Sequence, residues 1–238
     1  MATFGTIIIA VIGAGISVAA AVCAYVVGIR PWHSRWGATD AEVQQSLPGD
    51  DLVPQPKIET TRAITIRGSA TDVWPWLVQI GYKRAGWYSY DFMHRMLRCA
   101  GSVDDPRRSA NRIIPELQNL QVGDSIHIAA QLGYRVTAIQ PERVLVLHTA
   151  VDTGTGERLD LTKPMPETYL NASWVWFLDE VEETTTRLIV RFRQDYHPSL
   201  LNALMYRGFI EFGGFLMERK TLLGIKQRAE AAAGRGRE

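Results

Sequence analysis

Residues 63–81 read Ala63-Ile64-Thr65-Ile66-Arg67-Gly68-Ser69-Ala70-Thr71-Asp72-Val73-Trp74-Pro75-Trp76-Leu77-Val78-Gln79-Ile80-Gly81. Residues 64–67 alternate between apolar and polar side chains, which is typical of a strand with one buried and one wet face. Ser69 or Thr71 can then cap a helix, and Asp72 in its first turn suits the helix dipole. Pro75 must lie near the start of that helix, because a proline deeper inside would cost about 3 kcal/mol. The stretch predicts an amphipathic strand followed by a short capped helix.

Aromatic side chains and one carboxylate follow directly, in Ala85-Gly86-Trp87-Tyr88-Ser89-Tyr90-Asp91. A second short helix is predicted over Tyr90 to Leu97. Strands are predicted at 58–67, 124–129, 134–140, 143–149, 172–179 and 186–194 from apolar alternation and turn residues. After Pro198 the apolar period changes to that of a long C-terminal helix, with the pair Gly213-Gly214 as a candidate kink. Residues 150–171 form a long insertion between two strands, of a length usual for lids or disordered segments.

Several segments in this order resemble the SRPBCC superfamily of START-like, Bet v 1-like proteins. They are Val73-Trp74-Pro75-Trp76-Leu77-Val78-Gln79, Tyr88-Ser89-Tyr90-Asp91, Ile113-Ile114-Pro115-Glu116, Val122-Gly123-Asp124 and Thr186-Arg187-Leu188-Ile189-Val190-Arg191. The resemblance implies an α+β helix-grip fold, in which a curved antiparallel sheet closes on the long C-terminal helix around an apolar cavity. It also implies a hydrophobic ligand, but it names neither that ligand nor a reaction, because one fold hosts many activities.

The N-terminal segment has the composition of a membrane helix. Residues 6–29 form a nearly continuous apolar run, long enough to cross the hydrocarbon core of a bilayer. Arg30, Trp32, Arg35 and Trp36 follow it and resemble an interfacial anchor. A cleavable signal peptide is the alternative, although nothing basic precedes the run. The two arginines predict a single-pass protein of the cell membrane with its large domain in the cytoplasm.

The predicted organisation is a transmembrane helix over 1–30, a linker with one short helix over 31–56, a helix-grip domain over 57–230 and a disordered tail over 231–238. Lys and Arg number 26 against 25 Asp and Glu, so the chain lacks the basic excess of a nucleic-acid binder. The five histidines and two cysteines have no metal-ligand spacing, so no metal is predicted. The glycines Gly13 and Gly15 start a dinucleotide-binding pattern that the chain does not complete, so no cofactor is predicted either.

The aromatic-carboxylate segment is the best candidate site. Asp91 and His94 lie three residues apart, on one helix face, and are the catalytic candidates as a general acid/base pair. The alternative is that Asp91 braces the second helix while His94 points to water. The predicted ligand-binding residues are Trp76, Trp87, Tyr88, Tyr90, Asp91, Trp174, Trp176, Phe209 and Phe212. Ordinary core packing is the alternative for the tryptophans on the strand, since aromatic residues fill cores as readily as they line pockets.

Arg187, Arg191 and Arg193 share one parity of the last strand and are interpreted as a solvated face, with an anionic lipid headgroup as a second option.

The function predicted overall is membrane-anchored binding, with transport as an extension, of a hydrophobic small molecule or lipid; a protein partner is left open. One alternative is an enzyme similar to polyketide cyclases and aromatases, with Asp91, His94, His127 or His148 supplying the acid/base group. Another is a structural or interaction module with a collapsed cavity.

Overall fold

The computed structural model describes residues 12–17 and 20–235, apart from the side chain of Phe209. Parts of the predicted membrane helix and of the predicted tail lie outside these ranges. The helices are α1 (Ile12–Ser34), α2 (Asp40–Gln44), α3 (Ala70–Val78), α4 (Asp91–Met96), α5 (Leu200–Leu204) and α6 (Glu211–Arg235). The strands are β1 (Ile58–Ile66), β2 (Ser125–Ala129), β3 (Leu132–Gln140), β4 (Val144–Asp152), β5 (Tyr169–Glu182) and β6 (Thr185–Tyr196). Single 3₁₀ turns cover Asp50–Leu52 and Pro115–Leu117, and π-helical turns cover Tyr25–Ile29 and Met205–Ile210.

The six strands form one antiparallel sheet in the order β1-β6-β5-β4-β3-β2. The predicted α+β helix-grip architecture is confirmed, because this curved sheet wraps the long C-terminal helix and an apolar helix precedes it. All six predicted strands are present. The insertion predicted over 150–171 is shorter in the structure, since β4 runs to Asp152 and β5 starts at Tyr169. Strand pairing therefore continues at both ends of the predicted insertion, as far as the pair formed by Asp152 and Tyr169.

The inner face of the sheet carries the main core. Alternate residues of β5 (170, 172, 176 and 178) join one apolar cluster with Leu222 and Ile225 of α6, both fully buried. The final helix lies close to the segment that follows α3. A Cβ on Gly224 would overlap the carbonyl oxygen of Tyr88 and lie 2.7 Å from its Cβ, so the close approach requires glycine here. This contact fixes α6 against the aromatic segment.

The outer face of the sheet is covered by the chain that precedes β1. Leu47 is buried there in a second apolar cluster with Val146, Val175 and Ile189. The helix α2 begins with a capping box, in which the Thr39 hydroxyl accepts from the backbone N–H of residue 42 and that residue's carboxylate accepts from the N–H of Thr39. The predicted short helix is thus present and belongs to a segment packed on the sheet.

The interpretation of the β6 arginines as a solvated face is wrong. Arg191 is buried and donates to the Asp50 carboxylate at 2.8 Å, while Arg187 donates to the Glu42 carboxylate at 2.6 Å. Arg193 lies within ion-pair distance of Asp50 as well. The physical reason is tertiary, because residues 36–56 fold back over this face and bring their carboxylates and carbonyl oxygens to it.

The glycine pair predicted as a kink does not interrupt the C-terminal helix. Residues 213 and 214 lie inside the continuous helix α6, and the irregularity is the π-helical turn Met205–Ile210. Tyr206, inside that turn, stacks on Tyr196 with ring centroids 4.4 Å apart. Phe212, just after the turn, contacts His33 with ring centroids 5.6 Å apart. A π turn adds one residue to a helical turn, which changes the direction in which the following side chains point.

Candidate ligand site on the inner face of the sheet

An aromatic cluster occupies the space between the sheet and the final helix. Trp174 on β5 is its centre, and its ring stacks on Trp87 with centroids 5.4 Å apart and planes 16° apart. Trp176 lies 5.0 Å away on the same strand, Tyr134 of β3 lies 6.0 Å away, and Phe192 of β6 lies 6.2 Å away. Trp174 is partly exposed whereas Trp176 is fully buried, so the cluster reaches solvent at Trp174. These five residues are called the aromatic cluster below.

Four buried polar atoms of the inner face have no hydrogen-bond partner among the described residues. They are Thr60 Oγ1, Trp87 Nε1, Trp176 Nε1 and Gln194 Nε2. Each of these residues is at most 4% exposed. Thr60 pairs with Phe192 across the β1–β6 ladder, and Gln194 follows two residues later on the same face. An unmade hydrogen bond at a buried group costs about 1–3 kcal/mol, so four together need an explanation.

A buried ion pair closes one side of the cluster. Arg62 on β1 donates from Nη1 to Glu218 Oε1 at 2.7 Å, and Trp174 donates from Nε1 to Glu218 Oε2 at 3.1 Å. The Arg62 Nε also donates to the carbonyl oxygen of His33 at 2.8 Å, and its guanidinium lies 5.2 Å from the centroid of Phe215. The side chains of Arg62 and Glu218 are 4% and 8% exposed. Glu218 of the final helix therefore bonds both Trp174 and Arg62, and Arg62 connects this pair to the last turn of α1.

The end of the sheet near Tyr196 carries two stacked tyrosine rings and a surface cleft. Tyr196 stacks on Tyr206, and burial followed by the proximity of Tyr206 raises the pKa of Tyr134. A surface cleft of about 350 Å³ lies beside these rings, lined by residues that include Lys57, Leu200 and Arg207. A second cleft of about 210 Å³ lies on the other side of α6, where Trp76 and Arg228 line it. The raised pKa keeps the Tyr134 hydroxyl neutral at neutral pH, where it can form hydrogen bonds but cannot act as a base.

Three of the predicted ligand-binding residues, Trp87, Trp174 and Trp176, meet in the aromatic cluster. Trp76 and Tyr88 instead pack on each other with ring centroids 6.0 Å apart. The Tyr88 hydroxyl accepts from Gln79 Nε2 at 2.7 Å, so its polar atom is already engaged.

The remaining aromatic candidates lie elsewhere. Tyr90 is 38% exposed and lies under Lys220, whose Nζ is 5.9 Å from the ring centroid. Phe212 contacts Tyr25 and His33 of α1, at 6.4 and 5.6 Å between centroids. Phe209 has its backbone in the π-helical turn, and its side chain lies outside the described part of the protein.

Asp91 braces the loop that leads into α4. Its Oδ1 accepts from the Ser109 N–H at 3.1 Å and from the Ser109 hydroxyl at 2.8 Å. The same hydroxyl accepts from the N–H of Tyr88 at 3.0 Å, and Tyr88 has a positive φ of 53°. Asp91 thus supports a backbone conformation that is unfavourable for a tyrosine.

The histidines named as acid/base candidates do not meet the aromatic cluster. His94 does not point to water: it is buried, and its Nδ1 lies 3.4 Å from Cys99 Sγ. Burial lowers the pKa of His94, with Asp91 opposing the shift. His127 is exposed, and His148 Nε2 lies 2.8 Å from the Asn171 amide oxygen on the outer face of the sheet. Among the described residues, no ring contact or hydrogen bond joins any of the three to the cluster.

Sequence reasoning missed Thr60, Arg62, Tyr134, Phe192, Gln194 and Glu218. Strand parity could have found Phe192 and Gln194, because they alternate with the β6 arginines. The role of Glu218 has no local signal, since it sits among ordinary charged residues of a helix. No group of three or more His, Cys, Asp or Glu side chains capable of holding a metal occurs in the described ranges.

No model of a known protein family matches the chain, and no curated protein matches it. The structure is similar to that of a conserved protein from Geobacillus kaustophilus, at 13% identity and a TM-score of 0.38, over 74% of this chain and 97% of that one. It is also similar to CalC, a self-sacrificing resistance protein from Micromonospora echinospora, at 11% identity and a TM-score of 0.37, over 75% and 95%. CalU16 from the same organism gives 15% identity and a TM-score of 0.32, over 74% and 86%. Likeness at this level assigns no ligand or reaction to the chain.

Proposed function

We propose that this protein is anchored in a membrane by α1 and binds a hydrophobic small molecule or lipid between the inner face of its sheet and the final helix. The observation that carries the proposal is the set of four partnerless polar atoms on an aromatic inner face. Two of them are indole N–H groups and one is an amide N–H₂, which are donors, and the fourth is a hydroxyl. A ligand that combines an apolar body with carbonyl or ether oxygens carries the acceptors that such groups lack.

Binding would require the Trp87–Trp174 stack to open, because the two rings fill the centre of the site. Trp174 is the ring best suited to move, since it is partly exposed and lies nearest the solvent side of the cluster. A bound aromatic ligand could replace Trp87 as its stacking partner at a similar ring distance. Transport between membranes would be a further step, in which the same site releases its ligand.

The membrane part of the proposal is supported by α1, whose described residues have a mean hydropathy of 2.1 in their most apolar window and no buried fraction. An apolar helix that the rest of the protein does not cover is what a bilayer would cover. The large domain is proposed to lie in the cytoplasm because Arg30 and Arg35 follow the helix.

The test uses the full-length protein purified in mild detergent, native mass spectrometry for molecules that co-purify, and prodan, a fluorescent naphthyl ketone, as a probe. Thr60→Val together with Gln194→Leu removes two polar partners while keeping the side-chain volumes close. We expect prodan affinity to fall roughly tenfold, because each lost hydrogen bond is worth about 0.5–1.5 kcal/mol.

Ser173→Ala is the matched control, because Ser173 is equally buried and partnerless but lies on the outer face of the same sheet. It should leave prodan affinity unchanged. If the wild type carries no hydrophobic mass and the double variant binds prodan as well as the wild type, the binding proposal is wrong.

The interaction module is a second candidate, favoured by the tryptophan stack that fills the interior. In that case the wild type would capture one stoichiometric protein, and deletion of the exposed loop between β4 and β5, residues 153–168, would abolish that capture. Neither the wild type nor any variant would bind prodan. The cyclase-like enzyme has no such support, since none of its four candidate acid/base residues meets the aromatic cluster.

A further inference from the structure

The start of the C-terminal helix presents an apolar, uncharged surface. Leu200, Leu201 and Leu204 are 78%, 75% and 59% exposed, which is unusual for three leucines on one turn and a half of helix. Met205 and Ile210 are exposed as well. No charged residue occurs from 198 to 206, so nothing in this stretch favours contact with water over contact with lipid.

The helical segment that directly follows this apolar surface runs alongside α1. The Tyr25 hydroxyl donates to the carbonyl oxygen of Arg207 at 3.0 Å, and Arg30 Nε donates to Glu211 Oε2 at 3.1 Å. Further along, His33 stacks on Phe215 with centroids 5.4 Å apart. The contacts advance in the same direction along both helical segments, so α1 and the segment from residue 207 to residue 215 are parallel neighbours.

The parallel packing decides where the leucines lie. Leu200 precedes Arg207 by seven residues, which corresponds to about 10 Å of helix toward the apolar N-terminal part of α1. The exposed side chains of residues 200–205 therefore lie on the side of Arg207 that is toward the apolar N-terminal part of α1, which is itself uncovered. Cationic side chains mark the edge of this apolar surface, because Arg207 donates to the Lys57 carbonyl oxygen at 3.1 Å and Arg30 pairs with the final helix one turn further on.

We propose that residues 200–205 insert into the same bilayer leaflet as α1, so that the protein has two membrane contacts rather than one. The inference rests on the proposed membrane anchor and adds the position of the domain relative to the bilayer. Arg30, Arg207 and Lys57 then lie at the level of the lipid headgroups, where long cationic side chains meet phosphate.

This placement turns the end of the sheet near Tyr196 toward the membrane. Tyr196 and Tyr206 stack directly beside the inserted segment, and the cleft of about 350 Å³ is lined by Leu200 on one side and Lys57 on the other. A lipid-soluble ligand would then meet this end of the sheet from the bilayer side.

The experiment measures the depth of single nitroxide labels on full-length protein in phosphatidylcholine–phosphatidylglycerol vesicles. Cys23→Ala and Cys99→Ala remove the native thiols, and labels are then placed by Leu201→Cys, Val27→Cys or Val181→Cys. Val27 reports on α1 and is 71% exposed, while Val181, 61% exposed near the β5–β6 turn, is the matched control at the opposite end of the sheet. Electron paramagnetic resonance compares collisions with oxygen, which concentrates in lipid, and with a nickel chelate, which stays in water.

We expect the oxygen-to-nickel collision ratio at residue 201 to be severalfold higher than at residue 181 and close to that at residue 27. A lipid signal at 27 with a water signal at 201 would overturn this inference while leaving the membrane anchor intact. Shielding of 201 from both reagents would also overturn it, since that result indicates contact with a second protein surface. Lipid at 201 with water at 27 would support the inserted segment and refute α1 as the anchor.

Discussion

Replacing Arg62 with methionine should destabilise the protein strongly, because its guanidinium is the only cation within ion-pair distance of the buried Glu218 carboxylate among the described residues. The substitution leaves a carboxylate, 8% exposed as a side chain, with one hydrogen bond from Trp174. Removing one partner of a buried ion pair costs about 3–5 kcal/mol. That is a large share of the roughly 5–15 kcal/mol by which a domain is stable.

The second substitution, Glu218→Gln, decides whether the charge is responsible. The amide keeps an oxygen that can accept from the Trp174 indole N–H, so Glu218→Gln in the Arg62→Met background removes the stranded charge without losing that bond. The double variant should regain about 1–3 kcal/mol relative to Arg62→Met alone, and its remaining deficit reflects the His33 carbonyl oxygen that Arg62 no longer bonds. Urea unfolding of the full-length protein in detergent, followed by tryptophan fluorescence, measures each free energy.

The exposed pair of Arg143 and Asp179 provides the control, since its side chains are 45% and 50% exposed and 3.3 Å apart. Arg143→Met should cost less than about 1 kcal/mol, as surface ion pairs do. The reasoning fails if Arg62→Met is as mild as this control. It fails equally if Glu218→Gln makes the Arg62→Met protein less stable.

Two further predictions concern stability. Gly224→Ala should lower the free energy of unfolding in urea by about 1–3 kcal/mol, because its methyl group would collide with Tyr88. Gly214→Ala is the control: no heavy atom lies within 4 Å of the added methyl group, so it should stabilise the helix by up to about 1 kcal/mol. Equal effects of the two substitutions would refute the close approach. His94 has a pKa that burial lowers from 6.5, so its contribution to stability is complete above pH 6.5 and is lost as the pH falls toward the lowered pKa. His94→Gln should therefore reduce the loss of urea stability between pH 7.5 and 5.5; a pH slope equal to that of the wild type would contradict this account.

Much of the fold could be predicted from local patterns. The alternation in β1, the capping of α3 by Ser69 and the change of period after Pro198 all correspond to elements of the structure. These features depend on which side chains are apolar and on short-range backbone hydrogen bonds, which are written directly in the order of residues. The π-helical turn before α6 was not predicted, and Pro75, predicted near the start of its helix, lies in the interior of α3.

The candidate site was predictable only in part. Trp174 and Trp176 share a face by strand parity, and the structure brings Trp87 to them. The polar atoms of Thr60 and Gln194 carry no local sign of being partnerless, because a hydrogen bond is lost or made only when distant strands and helices are packed.

The sequence alone determined the antiparallel α+β architecture, the long final helix and an apolar N-terminal segment long enough to cross a membrane. The tertiary structure decided which charged residues are buried: it covered Arg191 with the chain before β1 and paired Arg62 with Glu218 across 156 positions. It also set the π-helical turn and α6 beside α1, so that the exposed leucines just before that turn lie toward the apolar part of α1. The reason is physical, since periodicity reports only which face of an element is apolar, while burial, charge pairing and exposure depend on what the rest of the chain places against that face.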